Sequence, residues 1–171
     1  MERYEKTRSA LSPLFPSGHE SEAVGTEESE ADSSPQQRLP GVVVTEYSRT
    51  GSHLDVVCLP DQLMAVAGVL EDEGFFLESI AGVDWLEQGQ LEIIYDFNLL
   101  GGDQCRVMVR TFVDRSEPVV PTLTGIFPAA DWHERETFDF YGLHFQGHPD
   151  LTRILLPEDA DYHPLLKDFM P

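Results

Sequence analysis

The sequence predicts an α+β fold: a mixed, largely antiparallel sheet with helices on one face, plus an extended C-terminal arm. Three observations predict it. Residues 91–99 and 105–113 alternate in polarity on either side of a glycine-containing turn, as paired strands do. A stretch opening at Pro60 places apolar groups at helical spacing. The final residues, 143–171, are apolar yet repeatedly interrupted by proline. The chain has 171 residues, which fits one ordinary domain with something added, and a hydrophobic share of 41% supplies a real core.

The elements follow in order. Residues 1–40 are read as a disordered acidic N-terminal segment. Within it, residues 17–40 are rich in Ser, Glu and Pro and bury too little to offset their ordering entropy. The α+β domain spans 41–142. Val42, Val43 and Val44 open a β-branched run that continues to Tyr47, Ser48 to Ser52 form a turn, and His53 to Leu59 complete a hairpin. Pro60 starts a helix with Leu63, Val66, Ala67 and Leu70 on one face, stopped at Gly74. Phe75 to Trp85 is extended with a break at Gly82. Leu91, Ile93, Tyr95, Phe97 and Leu99 alternate with Glu92, Asp96 and Asn98. After the turn Leu100–Gln104, Val107, Val109 and Val113 share one face of the next strand, and Arg106 and Arg110 the other. Two helical pieces are expected beyond Pro121, at Thr122–Phe127 and Ala129–Tyr141, the second ended by Gly142. No internal repeat is visible.

The charge balance excludes whole classes of partner. Acidic residues number 31 and basic ones 11, a formal charge of -20. Nucleic acid is excluded because phosphate binding needs a basic patch, and docking on anionic lipid is disfavoured for the same reason. Residues 41–171 hold 23 acids against 7 bases, so the excess belongs to the folded part. Two readings remain for it, a saline cytoplasm or an ordinarily acidic protein, and the melting temperature measured against salt separates them. No run of 18 apolar residues spans a membrane, and the charged N-terminus shows no secretory signal. Cys58 and Cys105 are too few for a four-thiolate site or a disulfide framework, and are read as core residues of strands in a reducing cytoplasm.

Helix 129–141 carries charge where a core stripe belongs. Trp132, Arg135, Glu136 and Asp139 fall at i, i+3, i+4 and i+7. Asp131–Arg135 and Arg135–Asp139 are opposite-charge i,i+4 pairs. The stripe is either a solvated face held by weak pairs or a face that meets a protein partner. The arm, 143–171, contains Pro149, Pro157, Pro164 and Pro171, too many for a useful helix. It also holds ten large apolar residues, among them Leu143, Phe145, Ile154 and Phe169, which argues against disorder. Apolar burial alone does not offset the cost of ordering so long a stretch, so the arm needs a surface that also supplies hydrogen bonds and charge. The arm's own domain can supply it, but another subunit is preferred because the strands and helices already fill the domain's core; His148, Arg153, His163, Lys167 and Asp168 are the expected anchors.

A metal-dependent hydrolase is the alternative of a different class, built on His144, His148 and Glu134, with His133, His163 and Asp139 nearby in sequence. Gly147 and Pro149 oppose the helix that would pair His144 with His148, and no HExxH occurs. Glu134 and Glu136, two apart on a helix, diverge and form no acid/base pair. Gly101-Gly102 is a hairpin turn and no nucleotide loop. No self-sufficient active site emerges, and no catalytic, cofactor-binding or metal-binding residue is assigned.

ERETFDFYG followed by HPDLTRILLPEDADYHPLLKDF resembles the C-terminal signature of one family, the C or thirty-kilodalton subunit of proton-translocating NADH:quinone oxidoreductase, respiratory complex I. The resemblance covers about Pro121 to Phe169 and departs at Thr152, where many members carry a second basic residue before Ile-Leu. It implies an accessory subunit of the hydrophilic arm, peripheral to the cell inner membrane on its cytoplasmic side. It implies that the chain docks on and positions the quinone-site D subunit and binds no cofactor itself. NADH, FMN, the iron–sulfur clusters and quinone would then lie on other subunits. Carried over, Glu134, Arg135, Glu136, Asp139, His148, Arg153, Lys167 and Asp168 are expected at the subunit interface. The equivalent subunit of a related membrane-bound hydrogenase or dehydrogenase complex is the runner-up.

Overall fold

The computed structural model describes residues 3–16, 38–101 and 104–170. A five-stranded sheet runs in the order β1-β2-β5-β4-β3, with β1 (Gly41–Val44), β2 (Leu54–Val57), β3 (Phe76–Trp85), β4 (Gln90–Leu99) and β5 (Cys105–Asp114). Only the β2–β5 pairing is parallel; the others are antiparallel. β4 and β5 pair along their whole length, from Gln90↔Asp114 to Leu99↔Cys105, because the alternation of each strand puts its apolar set on the same side. One row of that side, Val56–Val109–Tyr95–Ile80, crosses four strands and is buried throughout.

Helices cover this face. α1 (Arg3–Leu11) contributes Leu11, and α3 (Leu63–Asp72) contributes Leu63, Val66, Ala67 and Leu70, the four positions its spacing predicted. Gly74, at φ +85°, ends α3. α4 (Ala130–Tyr141) lies against β3 and ends at Gly142, at φ +76°. The opposite face of the sheet is a lattice of cross-strand ion pairs. Arg110 reaches Asp55 and Glu92, each at 2.9 Å, and the Arg106 Nε donates to both oxygens of Asp96 at 2.9 and 3.1 Å. Pairing of this kind lets Glu92 and Asp96 be buried without isolated charge.

Several expectations are corrected. Residues 1–40 are not uniformly disordered: α1 and a 3-10 turn (Ser12–Leu14) bury Thr7, Leu11 and Phe15, while Arg3 and Lys6 pair with Glu73. Leu11 and Phe15 supply the apolar anchor that the acidic composition hid. The expected disorder at 17–37 lies outside the described residues. Tyr47 belongs to a one-turn helix, α2 (Tyr47–Thr50), within the β1–β2 connection. Cys58 is buried just beyond β2, while Cys105 opens β5. Thr122–Phe127 is a turn, not a helix: the Ile126 and Phe127 N–H groups both close on the Leu123 carbonyl, while the Thr122 N–H bonds to Gln146 and the Leu123 N–H to the Glu134 carboxylate. Two three-residue strands, β6 (Val119–Pro121) and β7 (His144–Gln146), pair in parallel and were too short to show a period.

β3 does not break at Gly82, which pairs with Ile93; the register shift comes earlier, between Leu77 and Ser79. The glycine answers a different need. A Cβ at position 82 would sit 2.7 Å from the Tyr141 ring, so the missing side chain lets α4 close on the sheet. Gly82→Val should therefore destabilise the domain by about 1–3 kcal/mol. In urea unfolding, Tyr141→Ala should cost less in the Gly82→Val background than alone, and strict additivity would show that the two residues do not compete for one space.

Candidate functional site

The candidate site is the seam between α4 and the C-terminal arm. The helix has an inner stripe of Ala130, Glu134 and Thr137, all buried, with Phe138 and Tyr141 packed on the core. Polar residues occupy core-facing positions here because the segments packed on them are irregular and bring unpaired backbone groups.

Asp139 is the centre of the seam. It is fully buried, and its Oδ2 accepts three successive backbone N–H groups, from Ile154 at 3.1 Å, Leu155 at 2.8 Å and Leu156 at 2.9 Å. Oδ1 accepts Arg153 Nη1 at 2.6 Å, and the Asp139 carbonyl takes Arg153 at 3.1 Å and His163 Nδ1 at 3.0 Å. Burial pushes the carboxyl pKa up, but the amides of Leu156, Leu155 and Ile154 and the Arg153 guanidinium outweigh it and hold the group below the usual carboxylate range. Such a concave run of N–H groups is an anion cradle, and Pro157 prevents it from continuing as a helix.

A second carboxylate grips the far end. Asp84, on β3, is buried and accepts Arg115 at 2.9 and 3.2 Å and the backbone N–H of Lys167 at 2.8 Å. Arg115 also bonds Asp168, and the Lys167 ammonium sits 5.9 Å from the centre of the Trp85 ring. Asp84, Trp85, Arg115, Thr122 and Thr152 escaped the sequence reading. Their only signal was a polar Asp84 on the otherwise apolar side of β3.

Glu134 anchors the turn that precedes the helix. Its Oε2 meets the Thr122 hydroxyl at 2.5 Å and its Oε1 accepts the Leu123 N–H at 2.7 Å. Burial pushes its pKa up to about 7, against the pull of those two donors and with help from the Asp131 charge. The side chain of His148 is buried beside it, with Nε2 4.0 Å from Glu134 Oε2 and 3.8 Å from Asp131 Oδ1. His148 Nδ1 accepts the Asp150 N–H at 3.0 Å, which assigns the hydrogen of the neutral ring to Nε2, 3.3 Å from the Asp131 carbonyl.

The expected charged stripe is split by this geometry. Trp132 is 65% exposed, whereas Asp139, on the same stripe, is sealed beneath the arm. Arg135 is half-buried, stacks 5.4 Å from the Trp132 ring centre, and donates to the Thr152 carbonyl at 3.1 Å and hydroxyl at 2.7 Å. Glu136 is half-buried and makes no hydrogen bond or ion pair among the described residues. Thus Arg135, Asp139, Arg153, Lys167 and Asp168 bond within the chain, as do Glu134 and His148. This corrects the expectation that another subunit supplies the arm's polar partners. The arm is also shorter than 143–171, since Leu143 and Phe145 are core residues. Leu155, Leu165 and Met170 of the arm are exposed, as is Trp132 of the helix. Among the described residues, no three His, Cys, Asp or Glu side chains come together as a metal site, so His133, His144, His148 and His163 do not converge.

Comparison with known proteins adds a family. Residues 56–171 match the family described as "Respiratory-chain NADH dehydrogenase, 30 Kd subunit". The chain is 42% identical over 135 residues to the C subunit of the NADH-quinone oxidoreductase of Roseiflexus sp. (strain RS-1), covering 76% of each chain. It is 42% identical over 124 residues to that of Moorella thermoacetica, covering 71% of this chain and 83% of the relative. Among solved structures, a trypsin-resistant fragment (1-134) of Nqo5 superposes with a TM-score of 0.53 at 32% identity, covering 57% of this chain and 82% of the fragment. A chain of the membrane-bound sulfane sulfur reductase, an archaeal respiratory membrane complex, superposes with a TM-score of 0.62 at 26% identity, covering 68% and 71%.

The seam makes a direct prediction. A carboxyl held below its ordinary range contributes stability that is present above the unfolded pKa and is lost as pH falls through the folded value, here below about 3.8. Asp139→Asn removes that contribution at every pH and should cost about 1.5–3 kcal/mol. Limited proteolysis at neutral pH should then cut the arm between 149 and 170 faster than in the unaltered chain, and equal cutting rates would show that Asp139 does not hold it.

Proposed function

The chain belongs to the 30 Kd subunit family of the respiratory-chain NADH dehydrogenase, and from that premise we propose that it docks on and positions the quinone-site D subunit. The complex transfers electrons from NADH through FMN and iron–sulfur clusters to quinone and couples this to proton translocation. In this reading those groups are carried by other subunits, and this chain contributes no reacting group. It sits peripherally on the cytoplasmic side of the cell inner membrane, beside the other hydrophilic-arm subunits. Among the described residues no helix is long and apolar enough to cross a membrane.

The observation that carries the reading is how the arm divides its groups. Its polar groups are bonded inward to Asp139 and Asp84, while Trp132, Leu155, Leu165 and Met170 face outward. Exposed apolar groups on a segment fastened from behind are what an obligate subunit offers a neighbour, and an exposed Trp flanked by Arg is a common centre of binding energy. The interface is therefore assigned to these outward residues. Glu134, Arg135, Glu136, Asp139, His148, Arg153, Lys167 and Asp168 act behind them, setting the shape of the segment. An effect on turnover is indirect, through the placement of groups on the neighbour.

The likeness to a chain of the sulfane sulfur reductase complex favours one second reading, the equivalent subunit of a related membrane-bound hydrogenase or dehydrogenase complex. Co-purification decides both questions. The tagged full chain, expressed in its own cells, should retain the large quinone-site subunit together with NADH-binding flavoprotein subunits; recovery of a nickel-ligating large subunit instead would select the second reading. Trp132→Ala with Leu155→Ser should lose the partner while the purified variant keeps its own melting temperature. Full retention of the partner by this double variant would remove these residues from the interface.

A further inference from the structure

The seam contains a group whose acid–base chemistry docking does not use. Glu134 is completely buried, and among the described residues no Lys or Arg lies within ion-pair distance of it. An ionised carboxylate offers about four acceptor positions, yet only the Thr122 hydroxyl and the Leu123 N–H are directed at it. On α4 the charge that acts on it is Asp131, of the same sign. From the sheet, Tyr95 is fully buried with a phenol that has no hydrogen-bond partner among the described residues, and burial, with the Glu134 and Cys58 charges adding to it, opposes its ionisation. Burial likewise pushes the Cys58 thiol up, to about 12. From the segment after β7 come His148 and Asp150. Among the described residues, the groups named around it are thus an unpartnered phenol, a thiol, acids and a histidine whose Nδ1 already accepts a hydrogen bond.

The hydrogen-bond partners suit a proton that comes and goes. Leu123 donates to Oε1 whichever form the acid takes. Thr122 is reversible: its hydroxyl donates to Oε2 when the carboxylate is ionised, and accepts from Oε2–H when it is not. In the second case the hydroxyl hydrogen turns to Thr124 Oγ1, 2.9 Å away. Both protonation states are therefore satisfied without moving the backbone of the turn.

We propose that Glu134 and His148 form a buried proton-binding site at the root of the C-terminal arm, in which Glu134 holds one exchangeable proton and His148 passes the change on to the Asp150 backbone. Ionisation breaks the Oε2–H bond, leaves its electron pair on the carboxylate and releases the proton to bulk water. The new charge attracts the Nε2–H of His148, now aimed at the Asp131 carbonyl, across the 4.0 Å that separates them. Turning the ring toward Glu134 draws Nδ1 away from the Asp150 N–H, the first hydrogen bond of the arm. The site is complete within the chain, whatever complex the chain joins. It makes the fastening of the arm's root, though not of its Asp139 and Asp84 grips, depend on pH near neutrality.

Carbon-detected NMR on the full chain tests this, by following the Glu134 side-chain carboxyl and the exchange of the Asp150 amide from about pH 5 to about pH 9. The expected result is a Glu134 carboxyl that is protonated at the acid end and ionises near neutrality. The Asp150 amide should lose protection, beyond the ordinary acceleration of exchange by base, over the same interval. Glu134→Gln, whose amide can serve both Thr122 and Leu123, should abolish the change at Asp150. A carboxyl already ionised at about pH 5 would overturn the proton site. An Asp150 protection that stays flat while Glu134 titrates would overturn its link to the arm. Both readings come from the unaltered protein, so they decide the matter even if Glu134→Gln fails to fold.

Discussion

The structure depends on one requirement: a long segment without regular secondary structure must still pair its backbone N–H groups. The arm pairs only some of them within itself, at Thr152, Ala160, Leu166 and Phe169. Two buried carboxylates accept others, Asp139 those of Ile154, Leu155 and Leu156, and Asp84 that of Lys167. Each carboxylate in turn needs a cation to be tolerated in the interior, and receives one, Arg153 or Arg115. The exchange is mutual, since the arm neutralises the acids that order it.

The same logic explains how so acidic a chain stays compact. Arginines 106, 110, 115 and 153 are all engaged with carboxylates at the sheet's polar face or at the seam. The few cations are placed where acid would otherwise be buried alone. The surplus negative charge is left to the outside, where water and salt screen it. Glu134 departs from this pattern. It is an acid buried without a cation, and its environment favours the neutral form.

Two glycines let the elements of the seam approach closely. Gly82 lets α4 sit down on β3 through Tyr141, and Gly142 leaves room for the His163 ring against the end of the helix. Helix, sheet and arm thus pack against one another at these two points.

Periodicity made part of this fold legible in the sequence. The alternation of β4 and β5, the stripe of α3, and the glycines that end α3 and α4 follow from local rules, and the structure keeps all of them. The signature around Glu134 to Asp168 marked the seam, and its length made the family recognisable. Local rules said nothing about direction. Asp139 and Trp132 share one helical stripe, yet one is sealed and the other open, because the arm crosses only part of the helix. Gly82 looked like a strand breaker and Thr122–Phe127 like a helix, because Tyr141 and Glu134, the residues that explain them, are distant in sequence. Sequence by itself determined which residues carry polar capacity and which segments are regular. Only the tertiary structure decided which acid meets which N–H, because a hydrogen bond is set by distance and angle in space.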